Sequence, residues 1–320
     1  MNIYEDFQLS EILYYKIGGK AKYVLKIQNY EDVLEALEFV KKNHIPRILP
    51  VGIGANLLMT QDFFDGAVLW FAKPEESLIT IQEDGLIEIF ASHLLDDLIQ
   101  FSFQYGFTGL EWAGGLPSTI GGAIRGNVGA FGEEIKQVVE KVEVIDTKQD
   151  NRVRILRNDE LDFLYRSSII KKQPHLIVTR VYFKLQKADE KAVATAQNTY
   201  FAKIDHRKKN NPVEYPSCGS IFENIVEKEK VEKMLHVWPD IQEMVQTSWH
   251  GKVSMGYSIR RLGLAGMTIG HGQISEKHAN YLVNLGGASF TDIYTLLQTV
   301  KEKFYKTFGF YPEPEVQIIE

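Results

Sequence analysis

The sequence predicts an α+β fold of two or three domains, and three observations carry that expectation. The chain opens β-α-β-β, without strict strand–helix alternation. Its 320 residues are 44% hydrophobic, enough for more than one core. A glycine-rich segment, "GLEWAGGLPSTIGGAIRGNVGAFGEEI" (109–135), places eight glycines in 27 residues between a helix and two alternating strands.

The elements follow in order. "KYVLKI" (22–27) reads as a strand, and Asn29 is placed to cap a helix in which Val33, Leu34, Leu37 and Val40 fall at helical spacing. "PRILPV" (46–51) and "DGAVLWFA" (65–72) are the next strands. "IEIFA" (87–91) leads into a helix over 93–106 that Gly106 ends. Beyond the glycine-rich segment, "QVVEKVEVIDT" and "LIVTRVYFKL" (176–185) alternate as strands, and 190–209 reads as a helix. The last third starts at Pro212. It holds a helical stretch interrupted by Pro239, a strand at "ANYLVNL" (279–285), and a helix with Ile293, Leu296, Leu297, Val300 and Phe304 on one face and Gly309 as terminator. The tail "EPEVQIIE" alternates as a final strand.

Composition excludes several classes of function. Net charge is −6, charged residues make up 24%, and the densest basic run is "HRKK" (206–209), so nucleic acid is not an expected partner. A single cysteine forms no internal disulfide, which suits a reducing compartment. The N-terminus "MNIYEDFQLS" lacks an apolar signal region and no run of 18 apolar residues follows, so the expectation is a cytoplasmic protein without membrane contact. His271 and His278 lie seven apart without metal-ligand spacing, so no metal is expected.

Several motifs carry chemistry. "VGIGANLL" (51–58) has the G-x-G of a phosphate turn, where missing Cβ atoms let backbone N–H groups approach an anion. No helix follows it directly, which excludes a Rossmann dinucleotide site. The glycine-rich segment is too long and too poor in charge for a plain connection. Its glycines and Ser/Thr hydroxyls suit a pyrophosphate path beside a flat ring. In "FLYRSSII" (163–170) an arginine lies in an apolar, β-prone stretch, either as structural glue or as a clamp for a carboxylate. "PSCGSIFEN" (216–224) holds Cys218 and Ser220, two apart and therefore on one side of an extended strand, and periodicity does not choose between them.

In their order along the chain, "YYKIGGKAKY" (14–23), "GIGAN", "GLPSTIGGAIRGN", "YRSS", "PSCGSIFEN", "ISEKHANYLVN" and "PEPEV" closely resemble the UDP-N-acetylenolpyruvoylglucosamine reductase family over essentially the whole chain. The resemblance implies a two-subdomain FAD-binding region of the vanillyl-alcohol-oxidase type followed by a smaller α+β substrate domain. The implied boundaries are 1–74 and 75–210 for the two FAD subdomains, the C-terminal strand packing back on the first, and 211–320 for the substrate domain. Non-covalent FAD is then held by Gly52, Gly54, Ala55, Asn56 and Leu57 and by Gly115, Leu116, Pro117, Ser118, Thr119, Gly121, Gly122 and Asn127.

The implied reaction is the NADPH-dependent reduction of UDP-N-acetylglucosamine enolpyruvate to UDP-N-acetylmuramate for peptidoglycan synthesis. Arg166 is implied at the substrate carboxylate, Glu315 beside the enol intermediate in protonated form, and Ser220 as proton donor in G-S-x-F. Cys218 is then a small buried neighbour. Tyr165, Asn224, Lys252 and His278 are implied substrate contacts. The sequence departs from the family pattern at Asn210, where a lysine is usual, and at Ala55, where serine is common. The interval from Arg166 to Ser220 is short, as in the branch lacking a closing tyrosine loop, whereas Ser220 to Gly266 is long, as in the other branch. Another flavoprotein of the same fold, or a non-catalytic FAD-binding paralogue, is the alternative. A monomer is favoured.

Overall fold

The computed structural model describes residues 1–60 and 62–319, and the chain divides into two compact units. Unit 1 comprises Met1–Phe7, Ala21–Ile53 and Phe64–Arg207. Unit 2 comprises Gln8–Lys20, Gly54–Phe63 and Lys208–Glu320. The units therefore interleave along the chain, and the "GIGAN" turn contributes Gly52 to one and Gly54 to the other.

Unit 1 contains a four-stranded and a five-stranded sheet that share one hydrophobic core. In the first, strands Lys20–Ile27 and Ile48–Val51 run parallel to Phe64–Phe71 on either side of it, with Leu25 opposite Leu69 and Leu49 opposite Val68. Parallel neighbours need a crossover, and helix Tyr30–Lys42 supplies it, its first turn capped by the Asn29 side chain accepting from the Asp32 N–H. The buried positions of that helix are Asp32, Val33, Ala36 and Leu37; Leu34 is 45% exposed, so the apolar stripe turns toward Ala36 rather than following the larger side chain.

The second sheet is antiparallel throughout, in the order Arg152–Arg157, Val139–Asp146, Leu176–Phe183, Ile87–Phe90, Ile79–Ile81. Helix Leu95–Gln104 and residues 190–207 of helix Glu190–Asn210 belong to the same unit.

Two segments fold differently from the expectation. The glycine-rich segment is not all loop: it contains helix Ile120–Arg125. Its glycines disfavour a helix, yet Thr119 caps it by accepting from the Gly122 N–H, and Ile120, Ala123 and Ile124 are buried in the core, so packing overrides propensity. "FLYRSSII" is not a strand. Leu164 and Ser167 exchange backbone hydrogen bonds at 3.0 and 3.1 Å across a two-residue turn made by Tyr165 and Arg166.

Unit 2 is built on an antiparallel sheet in the order Ser217–Ser220, Tyr281–Asn284, Gly272–Ile274, Thr268–Ile269. Helix Phe290–Phe308 packs on it through Ile293, Leu296, Leu297, Val300 and Phe304, all buried. Ser289 and Asp292 form a capping box at its start, and Gly309, at φ +77°, ends it. The C-terminal strand Gln317–Ile319 runs parallel to Leu57–Met59, the stretch that directly follows "GIGAN". Among the described residues no helix is long and apolar enough to cross a membrane.

Phe304 is fully buried at the centre of the unit 2 core. Phe304→Ala is expected to lower unfolding stability by about 3–5 kcal/mol, measured by denaturant titration.

Candidate active site

In unit 1 the expected carboxylate clamp, Arg166, stands on the Tyr165–Arg166 turn in the left-handed region, at φ +54°. A non-glycine residue there is strained, and the surroundings hold it in place. Its guanidinium donates to the Gly129 carbonyl at 2.9 Å and lies 4.9 Å from the Tyr165 ring. Lys171 donates to its carbonyl at 2.8 Å.

Asn127 ties the turn to the glycine-rich segment. Its amide donates to the Leu164 carbonyl at 2.9 Å and to Glu134 at 3.1 Å, and its oxygen accepts from the Lys136 N–H at 3.3 Å. Ser168 extends this support by donating to the Arg125 carbonyl at 2.8 Å. Asn127, an expected cofactor residue, is fully buried with its side-chain amide hydrogen-bonded inside the protein, where it holds the Arg166 turn. Glu134 belongs to the same cluster. Burial pushes its carboxyl up, but hydrogen bonds from Lys136 and Asn127 and the charge of Arg166 outweigh this and hold it below the usual carboxylate range.

The expected flavin residues of unit 1 form a close-packed cradle. A Cβ on Gly52 would stand 2.3 Å from the Thr119 hydroxyl, and one on Gly114 would stand 2.4 Å from the Tyr200 carbonyl. Gly115 has φ +75° and packs against Arg207, whose Nε donates to the Gly114 carbonyl. Leu116 donates to the Ala113 carbonyl, and the Ser118 carbonyl accepts from the Leu95 N–H, so both sides of Pro117 are anchored. The N–H groups of Ile120, Gly121 and Gly122 are used by His93, Ala91 and Thr119. Those of Gly115 and Ser118 have no partner among the described residues. Gly122 is exposed, and a Cβ there would meet only the Thr119 and Ser118 hydroxyl oxygens, at 3.2 and 3.4 Å. Spare N–H donors, two hydroxyls and an exposed glycine fit the phosphate-bearing part of FAD.

In unit 2, Gly54 has φ +67° and begins the turn through Ala55 and Asn56 into strand Leu57–Met59. Asn56 accepts at its carbonyl from the Gln317 N–H and donates its side-chain amide to the Glu315 carbonyl at 3.2 Å. Residues 313–315 lie antiparallel to 221–223: the Glu315 N–H donates to the Ile221 carbonyl at 2.9 Å and the Glu223 N–H to the Glu313 carbonyl at 3.0 Å. Ser220 and Glu315 are thus on adjoining stretches of chain. Glu313 is exposed and Glu315 half-buried.

The strand bearing Ser220 does not keep the alternation expected of it. Ser217 pairs with Val283 and Ser220 with Tyr281, three residues against two, and Gly219 takes up the extra residue at φ +77°. This bulge breaks the rule that put Cys218 and Ser220 on one side. Cys218 is 3% exposed while Ser220 is half-buried. Burial, reinforced by the Glu315 charge, drives the Cys218 thiol far above the ordinary thiol range.

The remaining expected contacts gather at helix Met255–Arg261. Asn224 accepts from the Met255 N–H at 3.0 Å, Lys252 lies three residues before it, and the His278 ring fills the space a Cβ on Gly256 would take, 2.9 Å away at Cε1. Burial lowers the pKa of His278, and its Nδ1 accepts from the Asn280 N–H, so the neutral ring carries its proton on Nε2. The structural duties of Asn56 and Asn127 had no signal in the sequence, because both depend on contacts to residues distant along the chain.

A model of the C-terminal domain of UDP-N-acetylenolpyruvoylglucosamine reductase matches residues 211–319, and an FAD binding domain model matches residues 21–155. The reductase of Caldicellulosiruptor saccharolyticus is 32% identical over 317 residues, covering 98% of this chain and 91% of its own. The chain belongs to the UDP-N-acetylenolpyruvoylglucosamine reductase family. The family member of Latilactobacillus sakei is 30% identical, with 100% and 94% of the two chains covered. The crystal structure of the Thermus caldophilus reductase superposes with a TM-score of 0.75 at 25% identity, over 100% of this chain and 98% of that one. As a member of this family of FAD oxidoreductases, the chain has the expected α+β fold with an FAD-binding domain ahead of its C-terminal domain.

With its thiol buried and protonated, Cys218 is expected to react with a disulfide reagent at pH 8 roughly two orders of magnitude more slowly in the native protein than in the unfolded chain. Absorbance of the released thiolate measures both rates.

Proposed function

We propose that the chain reduces the enolpyruvyl ether of UDP-N-acetylglucosamine enolpyruvate with NADPH as reductant, in the cytoplasm, as a step of peptidoglycan precursor synthesis. The flavin region is assigned to residues 1–74 and 75–210 and the substrate region to residues 211–320. The observation that carries the assignment of roles is the pairing of 221–223 with 313–315, which sets Ser220 beside Glu315 while the bulge separates Ser220 from Cys218.

FAD, held by the glycine-rich cradle and reduced by NADPH, would supply the hydride for the β-carbon of the enolpyruvyl group. The residues must handle the charge that this transfer leaves. Negative charge grows on the adjacent carbon and spreads into the substrate carboxylate. Arg166, held by Gly129, Lys171 and the Asn127 support, offers a fixed cation with bidentate geometry for that carboxylate. Glu315 helps only with a proton on its carboxyl, hydrogen-bonded to the enol oxygen, because an ionised carboxylate would repel the developing charge. Ser220 gives its hydroxyl proton to the carbon, completing addition of one hydride and one proton across the double bond. The Cys218 thiol is excluded from that role by burial. Asn224 is assigned to the uridine nucleotide, and Lys252 and His278 to its diphosphate, with neutral His278 donating from Nε2. Tyr165, stacked on Arg166, lines the clamp.

Anaerobic stopped-flow spectroscopy tests this reading. The protein reduced with NADPH is expected to reoxidise on addition of UDP-N-acetylglucosamine enolpyruvate, equally in Cys218→Ala, and about 10²- to 10⁴-fold more slowly in Ser220→Ala. Reduction without substrate-driven reoxidation in the parent would reject the assignment and leave a flavoprotein with another acceptor.

A further inference from the structure

Helix Ile120–Arg125 has two unlike faces. Ile120, Ala123 and Ile124 are buried, whereas Gly121, Gly122 and Arg125 are more open. Arg125 lies three and four residues beyond the two glycines and so shares their face. This is the face beside the Ser118 and Thr119 hydroxyls.

The guanidinium of Arg125 has no hydrogen bond, ion pair or ring contact among the described residues; the residue's one recorded side-chain contact is Ser168 donating to its backbone carbonyl. Arg125 is nevertheless partly withdrawn from water, and burial lowers its pKa with no neighbouring charge to offset it. The same unit treats Arg180 differently, giving it Glu143 at 2.9 and 3.1 Å and Glu88 at 3.5 Å. A cation partly withdrawn from water gains more from an anion than an exposed one does, and among the described residues no anion is set beside this one.

We propose that Arg125 binds the negative charge of the flavin nucleotide, borne by its diphosphate or by the ring in its reduced state. The inference rests on reading the glycine face as the cofactor's. A guanidinium offers forked N–H donors to phosphate oxygens or to a charged ring edge, and the exposed Gly122 leaves room for either beside it.

The test compares the parent, Arg125→Met and Arg125→Lys as apoproteins, by thermal melting and by FAD titration followed through flavin fluorescence. Removal of an unpaired, desolvated charge should leave the apoprotein midpoint of Arg125→Met unchanged or raised, while FAD binds roughly 10- to 100-fold more weakly and Arg125→Lys recovers part of the loss. Weakening of oxidised FAD identifies the diphosphate as partner. Weakening confined to reduced FAD, read as a fall in reduction potential, identifies the ring.

Unchanged affinity in both redox states overturns the inference, as does an apoprotein midpoint that falls in Arg125→Met, which would mark a structural residue. A parent that fails to bind FAD would overturn the cofactor reading itself. Binding by the parent with no effect in Arg125→Met would overturn the inference alone.

Discussion

The hydrogen bonds of Asn127 are the constraint on which unit 1 most depends. A fully buried primary amide must satisfy its donors and acceptor internally, and Asn127 does so with the Leu164 carbonyl, Glu134 and the Lys136 N–H. Those partners lie on the Arg166 turn and on the far end of the glycine-rich segment. One side chain therefore fixes the segment read as the cofactor's to the turn read as the substrate's. Arg166 closes the loop by donating back to Gly129, two residues beyond Asn127. The strained φ of Arg166 is tolerated because the turn is held from several directions.

Unit 2 uses the same device on a different backbone. Asn56, also from a glycine turn, donates to the Glu315 carbonyl, and its own carbonyl accepts from Gln317. In both units an asparagine in a glycine-containing stretch supports the main chain at or near a residue assigned to catalysis, Glu315 itself for Asn56 and Leu164, two residues before Arg166, for Asn127. The glycines give the loops their close approach, and the amides restore the rigidity that glycine removes. Such a site can hold a charged side chain steady without burying it among apolar groups.

The bulge at Gly219 separates two side chains that strand periodicity would place together. An extended strand would present Cys218 and Ser220 to the same side, and the more acidic thiol would then compete as proton donor. One inserted residue sends the sulfur into the core, where burial keeps it protonated, and leaves the hydroxyl half-buried.

Periodicity and capping alone determined the elements. The capped helix after Asn29, the helix with Ile293 through Phe304 on one face and Gly309 at its end, and the alternating strands at 139–146 and 176–183 were all legible, because each is set by neighbours a few residues away. The ordered motifs likewise made the family legible. The sequence alone did not determine the helix Ile120–Arg125, the turn at Arg166, the bulge at Gly219, or the placing of Leu34 outside the core. In each of these the local signal was outweighed by burial or by hydrogen bonds to residues far along the chain. The same holds for Asn127, Asn56 and Arg125, whose identities are plain in the sequence but whose roles depend on partners that only the folded chain brings near or withholds.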